Sequence, residues 1–288
     1  VTGLSPNLRG ILLMTLSMAL LAAGDTGIKL FSGGYRPEFL LLVVGAGSTV
    51  IFAAAALARG ERLFDRAALR GAPLARSVGE VLAGGSMIYA LAIVPFTIIT
   101  LMMQAMPLIV TAGAVVFFHE YVGPRRWAAI AAGMVGVLVI LRPWGAEFEL
   151  QWLLAVAVVV ILSARDLTSR AVPPTISTVL VAAWGGVAAT LAGLVLTLWA
   201  DAAVSIPVAH WPGFFAIIVC LAGGVATVTA AMRTGDVAVV APFRYLRLPM
   251  GLVIGVTLFG ETVDAAMISG AAIIVVSGLY IFFRERNG

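Results

Sequence analysis

A single cysteine, Cys220, and two histidines, His119 and His210, are all that 288 residues offer to thiol or soft-metal chemistry. One cysteine excludes an internal disulfide and a cysteine-based metal cluster. Two histidines leave a multi-histidine metal site short of ligands, so no metal or other cofactor is expected. The same scarcity argues against a membrane-embedded enzyme, since an apolar cysteine and two histidines at the ends of apolar runs offer no nucleophile–base pair. Charge is scarce too. Asp, Glu, Lys and Arg make up 11% of the chain, where a soluble domain has about 25%. With 61% hydrophobic residues and a mean hydropathy of +1.09, the solvent this chain fits is a lipid bilayer. Its pI near 9.7 comes from arginines in short loops, which points to a membrane surface rather than to nucleic acid.

Ten apolar runs fill the sequence: 10–31, 39–58, 77–94, 97–118, 126–141, 151–169, 178–199, 213–232, 237–259 and 265–283. Most approach the roughly 17–25 residues of a spanning helix, so the expected fold is an all-α integral membrane protein of ten transmembrane helices. The first run is too long for a signal-peptide core, and no cleavable leader is expected. With both termini on one side, that side collects twelve basic residues: Arg9, five arginines of 59–76, Arg125, Arg126, Arg170, Arg233, Arg284 and Arg286. The other side holds two, Arg36 and Arg142. Basic loops stay inside, which predicts cytoplasmic termini.

Displaced by 141 residues, the sequence meets itself. Asp25 falls on Asp166, Lys29 on Arg170 and Glu120 on Glu261, with Pro107 one residue short of Pro249. Two five-helix repeats, 1–144 and 145–288, follow. An odd number of spans per repeat inverts the second, which is the architecture of alternating-access carriers.

A few polar residues interrupt the runs. Asp25 and Lys29, one turn apart, share a helix face; Arg165 and Asp166 are their counterparts in the second half. Each set is a candidate gate, with interfacial anchoring the simpler role. Glu80 sits at the start of the third run, either interfacial or paired with Arg244. Thr97, Thr100, Gln104 and Thr111 form one stripe on the fourth run, facing a cavity or another helix, and Ser86 and Tyr89 can join it from the third. Arg244 and Arg247, three apart with Tyr245 between them, lie deep in the ninth run. Arg247 would be about 15 Å from the helix start, a depth that asks for an acid, water or an anionic substrate group. Pro107 and Pro249 each remove a backbone hydrogen bond and are candidate hinges. Small residues at packing intervals, Gly185, Ala189 and Gly193 on one span and Ala128, Ala132 and Gly136 on another, suit close helix contacts.

The stretch AMPLIVTAGAVVFFHEYVGPRRWAAIAAGMVGVLVILRP, residues 105–143, has a Pro-containing helix, a Glu after an aromatic end, a Trp and a small-residue-rich helix. It resembles the signature of the drug/metabolite transporter superfamily, EamA type. FRYLRLPMGLVIGVTLFGETVDAAMISGAAIIVVSGLYI, residues 243–281, is a second copy that keeps Pro249 and Glu261 but lacks the Trp and adds two arginines. Within the superfamily the chain is most similar to the YddG-type bacterial exporters of aromatic amino acids. The resemblance implies a carrier in a bacterial inner membrane that exports small organic metabolites, amino acids being the expected substrates, with a central cavity lined by spans 1, 3, 4, 6, 8 and 9. Arg247 would hold a substrate carboxylate, with Arg244, Tyr245, Gln104, Thr100, Tyr89 and Ser86 around it. An organic cation, a vitamin or a nucleoside-like substrate fits the same frame, and a passive channel is the remote alternative. The partners expected are the substrate and the bilayer, with no nucleic acid; a monomer suffices.

Overall fold

The computed structural model describes residues 5–64, 70–119, 123–145, 148–173, 175–200 and 206–286, and among these there is no strand. The helices are α1 (Pro6–Ser32), α2 (Pro37–Ala58), α3 (Gly71–Ile93), α4 (Phe96–Met103), α5 (Met106–Phe118), α6 (Pro124–Leu141), α7 (Leu153–Arg170), α8 (Thr178–Trp199), α9 (Trp211–Thr234), α10 (Val237–Val240), α11 (Arg247–Phe259) and α12 (Ala265–Arg286). Backbone polar groups have no water to bond in lipid, which is why so apolar a chain is helical almost throughout.

Seven of these helices are long and apolar enough to cross a membrane, and α4 with α5, bent by 43°, counts as an eighth if the pair is taken as one span. Ten spans were expected. The two runs that fall short are 77–94, where α3 carries Arg76 and Glu80, and 237–259, which is broken into α10, a 3-10 segment (Ala241–Leu246) and α11. The bend between α4 and α5 has a local cause. Pro107 sits in the first turn of α5, where it has no N–H to give and its ring excludes the carbonyl four residues back. The amides of Gln104 and Ala105 turn instead to the carbonyls three residues back, at 3.2 and 3.0 Å.

The described helices form two compact units, each drawing on both halves of the chain: Val1–Ala23, Val94–Val160 and Gly223–Gly288 in one, Gly24–Ile93 and Ile161–Ala222 in the other. The second unit is organised around α2 and α8. A β-carbon added to Gly193 would lie 2.4 Å from the backbone nitrogen of Leu42, and one on Gly45 would lie 2.7 Å from that of Thr190. One on Gly186 would meet the Thr49 nitrogen at 3.0 Å. Numbers rise along α2 as they fall along α8, so the pair is antiparallel. The contact is also self-complementary, because Thr49 and Gly45 lie 141 residues before Thr190 and Gly186. Each threonine hydroxyl donates to the carbonyl of the glycine one turn back at 2.8 Å, and the two hydroxyls are 3.4 Å apart. Bare glycine surfaces let backbones approach where lipid supplies no hydrophobic drive, and dispersion does the holding.

The first unit repeats the device with α6 and α12. Cβ positions on Gly136 and Gly270 would each meet the other's carbonyl oxygen at 2.7 Å, with Ile274 and Ile140 alongside. The packing face of α6 is Ala129, Gly133, Gly136 and Ile140, whereas Ala128 and Ala132 are exposed. Asp264 caps α12 through the Met267 amide at 2.9 Å and also pairs with Arg142. That amide first, and then the Arg142 guanidinium, hold the Asp264 carboxyl below the usual carboxylate range. In the same unit Met14, Met18, Ala231 and Val240 form a buried cluster, and the Ser17 hydroxyl donates to the Gly224 carbonyl at 2.7 Å.

Candidate functional site

α4 packs against α11 in the first unit. Thr97 and Thr100 of the polar stripe are buried and face glycines: a Cβ on Gly255 would fall 2.3 Å from the Thr97 hydroxyl, and one on Gly251 would fall 2.3 Å from the Thr100 methyl. Of the two surroundings open to that stripe, the structure gives these threonines a helix. The seam is closed at its end by Glu261. α11 stops at Gly260, whose φ of +62° turns the chain, and the Glu261 amide bonds back to the Gly255 carbonyl at 3.0 Å. The carboxylate then accepts the amides of Phe96 at 2.6 Å and Thr97 at 2.7 Å, the first free donors of α4. A carboxylate there satisfies orphan donors and meets the positive end of the helix dipole. Glu120, its counterpart in the first half, lies outside the described residues.

Gln104 and Tyr245 stand at the two helix breaks, 141 residues apart. Among the described residues the Gln104 amide nitrogen, the Thr97 hydroxyl and the Tyr245 hydroxyl are buried without a hydrogen-bond partner. The Tyr245 hydroxyl points at α12, into the gap left by Gly278, where a Cβ would lie 1.8 Å away. Arg244 is exposed in the 3-10 segment, and Arg247, half-buried, opens α11. The 3-10 geometry keeps positions three apart in register, so the two arginines still share a side. Just beyond them, Pro249, Met250, Val253 and Ile254 line an open apolar cavity of about 500 Å³ with Ala19, Ala22 and Ala23 of α1. Nothing in the sequence singled out that cavity, because three alanines in an apolar run look like any other helix face. Thr111 bonds only its own helix, at the Pro107 carbonyl.

The second unit holds two charged clusters. Glu80 pairs with Arg76 and, at 3.5 Å, with Arg165. Arg165 binds Asp166 at 2.8 Å, and Arg76 reaches the Ser169 hydroxyl at 2.7 Å. Thus α3 and α7 are joined by a network in which Glu80 answers Arg76 and Arg165, in place of the Arg244 pairing open to it in sequence. Toward the other end of α3, the Tyr89 hydroxyl donates to Glu38 at 2.7 Å, and Glu38 also meets Arg36. Lys29 donates to the Leu91 carbonyl at 3.3 Å, one helix turn from the buried Asp25. Ser86 bonds within its own helix, at the Ala83 carbonyl. An aromatic clasp of Phe31, Tyr35, Phe39 and Phe214 surrounds a 2.6 Å hydrogen bond between Tyr35 and His210. Trp127, Trp144, Trp199 and Trp211 are exposed, as an interfacial belt would be, but Trp152 is buried. Trp184 instead ties the loop after α2 to α8 through the Leu63 carbonyl at 2.9 Å.

The Glu80 network predicts a large coupling. Glu80→Leu takes the acid from Arg76 and leaves Arg165 to Asp166 alone, and with these side chains 16–30% exposed it is expected to cost about 1–3 kcal/mol. Arg165→Met combined with Glu80→Leu should cost less than the two singles together, by more than about 0.5 kcal/mol. Thermal melting of the four proteins in detergent measures this, and strict additivity would show the ions to be independent.

A model of the EamA-like transporter family matches residues 8–142. A riboflavin transporter of Rhizobium johnstonii is 30% identical over 227 residues, 74% of this chain and 70% of that protein. A riboflavin transporter of Vibrio cholerae is 29% identical, over 65% of this chain and 64% of that protein. An S-adenosylmethionine uptake transporter of Rickettsia bellii is 25% identical, over 69% and 68%. A solved crystal structure superposes with a TM-score of 0.63 over 94% of this chain and 95% of its own at 20% identity, a likeness of fold. These relatives are not amino acid exporters of the YddG type, but they share the superfamily that residues 105–143 resemble: the chain is a multi-pass membrane protein of the EamA-like transporter family.

Proposed function

We propose that this chain is a secondary carrier for a planar heteroaromatic metabolite of the flavin class, working by alternating access in a bacterial inner membrane with both termini in the cytoplasm. The observation that carries the reading is the apolar cavity of about 500 Å³ whose α11 wall begins two residues after Arg247. Its volume lies within the roughly 300–1,000 Å³ of small-molecule sites. Its aliphatic lining suits a flat ring, and Arg247, one turn before Met250 on α11, would meet a ring's oxygens from the start of that wall. The names of the relatives agree with this class.

Two inverted repeats support the alternating-access part. Both halves run as three helices, a broken helix and a last helix. His119 and Gly260, 141 apart, both end their helices in the left-handed region, at φ +54° and +62°. The antiparallel pairing of α2 with α8 is what five spans in each half would give. Pro107 and Pro249 at the breaks are the hinges of the rocking motion, and the Asp25–Lys29 and Arg165–Asp166 clusters are its two gates.

Aromatic amino acid export is the second reading. It is favoured by Arg247, whose fork matches a carboxylate in a bidentate way.

One experiment separates them. The purified chain is reconstituted in liposomes, and counterflow of riboflavin, phenylalanine and S-adenosylmethionine is measured. Riboflavin is expected to exchange, with Arg247→Lys slowing it about tenfold and Arg247→Gln at least as much, the scale of a lost bidentate contact to a charged group. Exchange of phenylalanine alone would replace the flavin reading by the amino acid one. Conduction far faster than carrier turnover would sink both.

A further inference from the structure

We propose that the groove between the start of α6 and the end of α12 binds one anionic phospholipid, headgroup on Arg125 and acyl chain along the groove. The groove has a volume of about 350 Å³ and is lined by Arg125, Ala128, Ala129, Val276, Ser277 and Tyr280. Its shape follows from the antiparallel pairing. Gly133 lies opposite Ser277, their Cβ positions 3.4 Å apart, so the groove runs inward from the level of Arg125 for eight residues of α6. At 1.5 Å per residue that is about 12 Å, close to one leaflet of a ~30 Å hydrocarbon core. The charge is at the mouth only. Ala128 and Ala129 keep the floor low, Ser277 is buried at the inner end, and Val276 and Tyr280 stand exposed along the rim.

The neighbours of Arg125 define the mouth as a headgroup position. Trp127, exposed on the same turn of α6, is a residue type that settles at that level. No acid lines the groove among the described residues, and the exposed Arg125 brings a guanidinium's donors to its mouth. A phosphate ester matches them geometrically and electrostatically, and anionic lipids of the cytoplasmic leaflet are attracted by about 1 kcal/mol per surface arginine. That leaflet is where the basic asymmetry places the start of α6. A free anion would use the mouth and leave the apolar length of the groove uncovered, which is why the occupant is a lipid.

Native mass spectrometry of the delipidated full chain, titrated with phosphatidylglycerol or phosphatidylcholine, tests the assignment. One phosphatidylglycerol should be retained, about fivefold more readily than phosphatidylcholine. Arg125→Lys should keep it. Arg125→Gln should lose it by removing charge, and Ala128→Phe, at an exposed position, should lose it by filling the groove. Retention in Arg125→Gln would overturn the headgroup contact, and retention in Ala128→Phe would overturn the groove. Displacement by inorganic phosphate at equal concentration would reduce the site to a simple anion site and overturn the lipid.

Discussion

Gly193→Ala is expected to leave little folded protein, at a cost of about 3 kcal/mol or more. The new methyl carbon would lie 2.4 Å from the backbone nitrogen of Leu42 and 2.6 Å from its α-carbon. A side chain can rotate out of such a clash, but a backbone cannot, so α2 and α8 would have to separate along their whole contact. Everything that keeps this pair together in lipid depends on that approach, since dispersion falls off within an ångström of contact. Gly84→Ala is the control. Its Cβ would meet only Leu41, at an ordinary 3.7 Å, and exchanging glycine for alanine in a helix gains up to about 1 kcal/mol. Melting can be followed with a thiol-reactive dye, because the half-buried Cys220 is the one cysteine in the sequence. Equal melting temperatures for the two variants would show that the α2–α8 contact is not what holds the second unit.

Glu261→Gln is expected to cost about 2–4 kcal/mol, from charged hydrogen bonds worth roughly 1.5–3 kcal/mol each. The carboxylate now serves the Phe96 and Thr97 amides with an oxygen apiece. A glutamine has one acceptor oxygen and a donor where the second amide needs an acceptor. Glu261→Asp tests reach instead of charge, because one methylene less pulls the carboxylate off the α4 terminus while leaving its charge. Both variants should melt below the parent, and both should slow exchange in liposomes, because α4 and α11 border the two helix breaks. Should Glu261→Gln melt with the parent, the cap is a matter of shape and the helix dipole contributes nothing measurable.

Much of this protein was legible as a string of letters. The poverty of charge made it a membrane protein, the apolar runs located most of its helices but not the breaks within 97–118 and 237–259, and the 105–143 stretch carried the family. These properties depend on local composition and on the 3.6-residue period, which a sequence contains in full. The small-residue rule also found Gly193 and Gly136. It erred at Ala128 and Ala132, because which of several small residues faces the partner depends on where the helices cross. The relatives are named for riboflavin and S-adenosylmethionine, substrates that no single side chain distinguishes from amino acids in sequence.

Tertiary structure alone decided who meets whom. In sequence Glu80 was open to an interfacial place or to Arg244, yet its partners are Arg76 and, 85 positions away, Arg165. Glu261 could be aligned with Glu120, but that it caps α4 is visible only when Gly260 turns it there. The apolar cavity and the groove beside Arg125 each set alanines of one helix against larger side chains of another, and their meaning lies in the space left between them. Long-range pairing is set by helix crossing, and crossing depends on the fit of whole surfaces, a sum over many weak contacts that no residue carries alone.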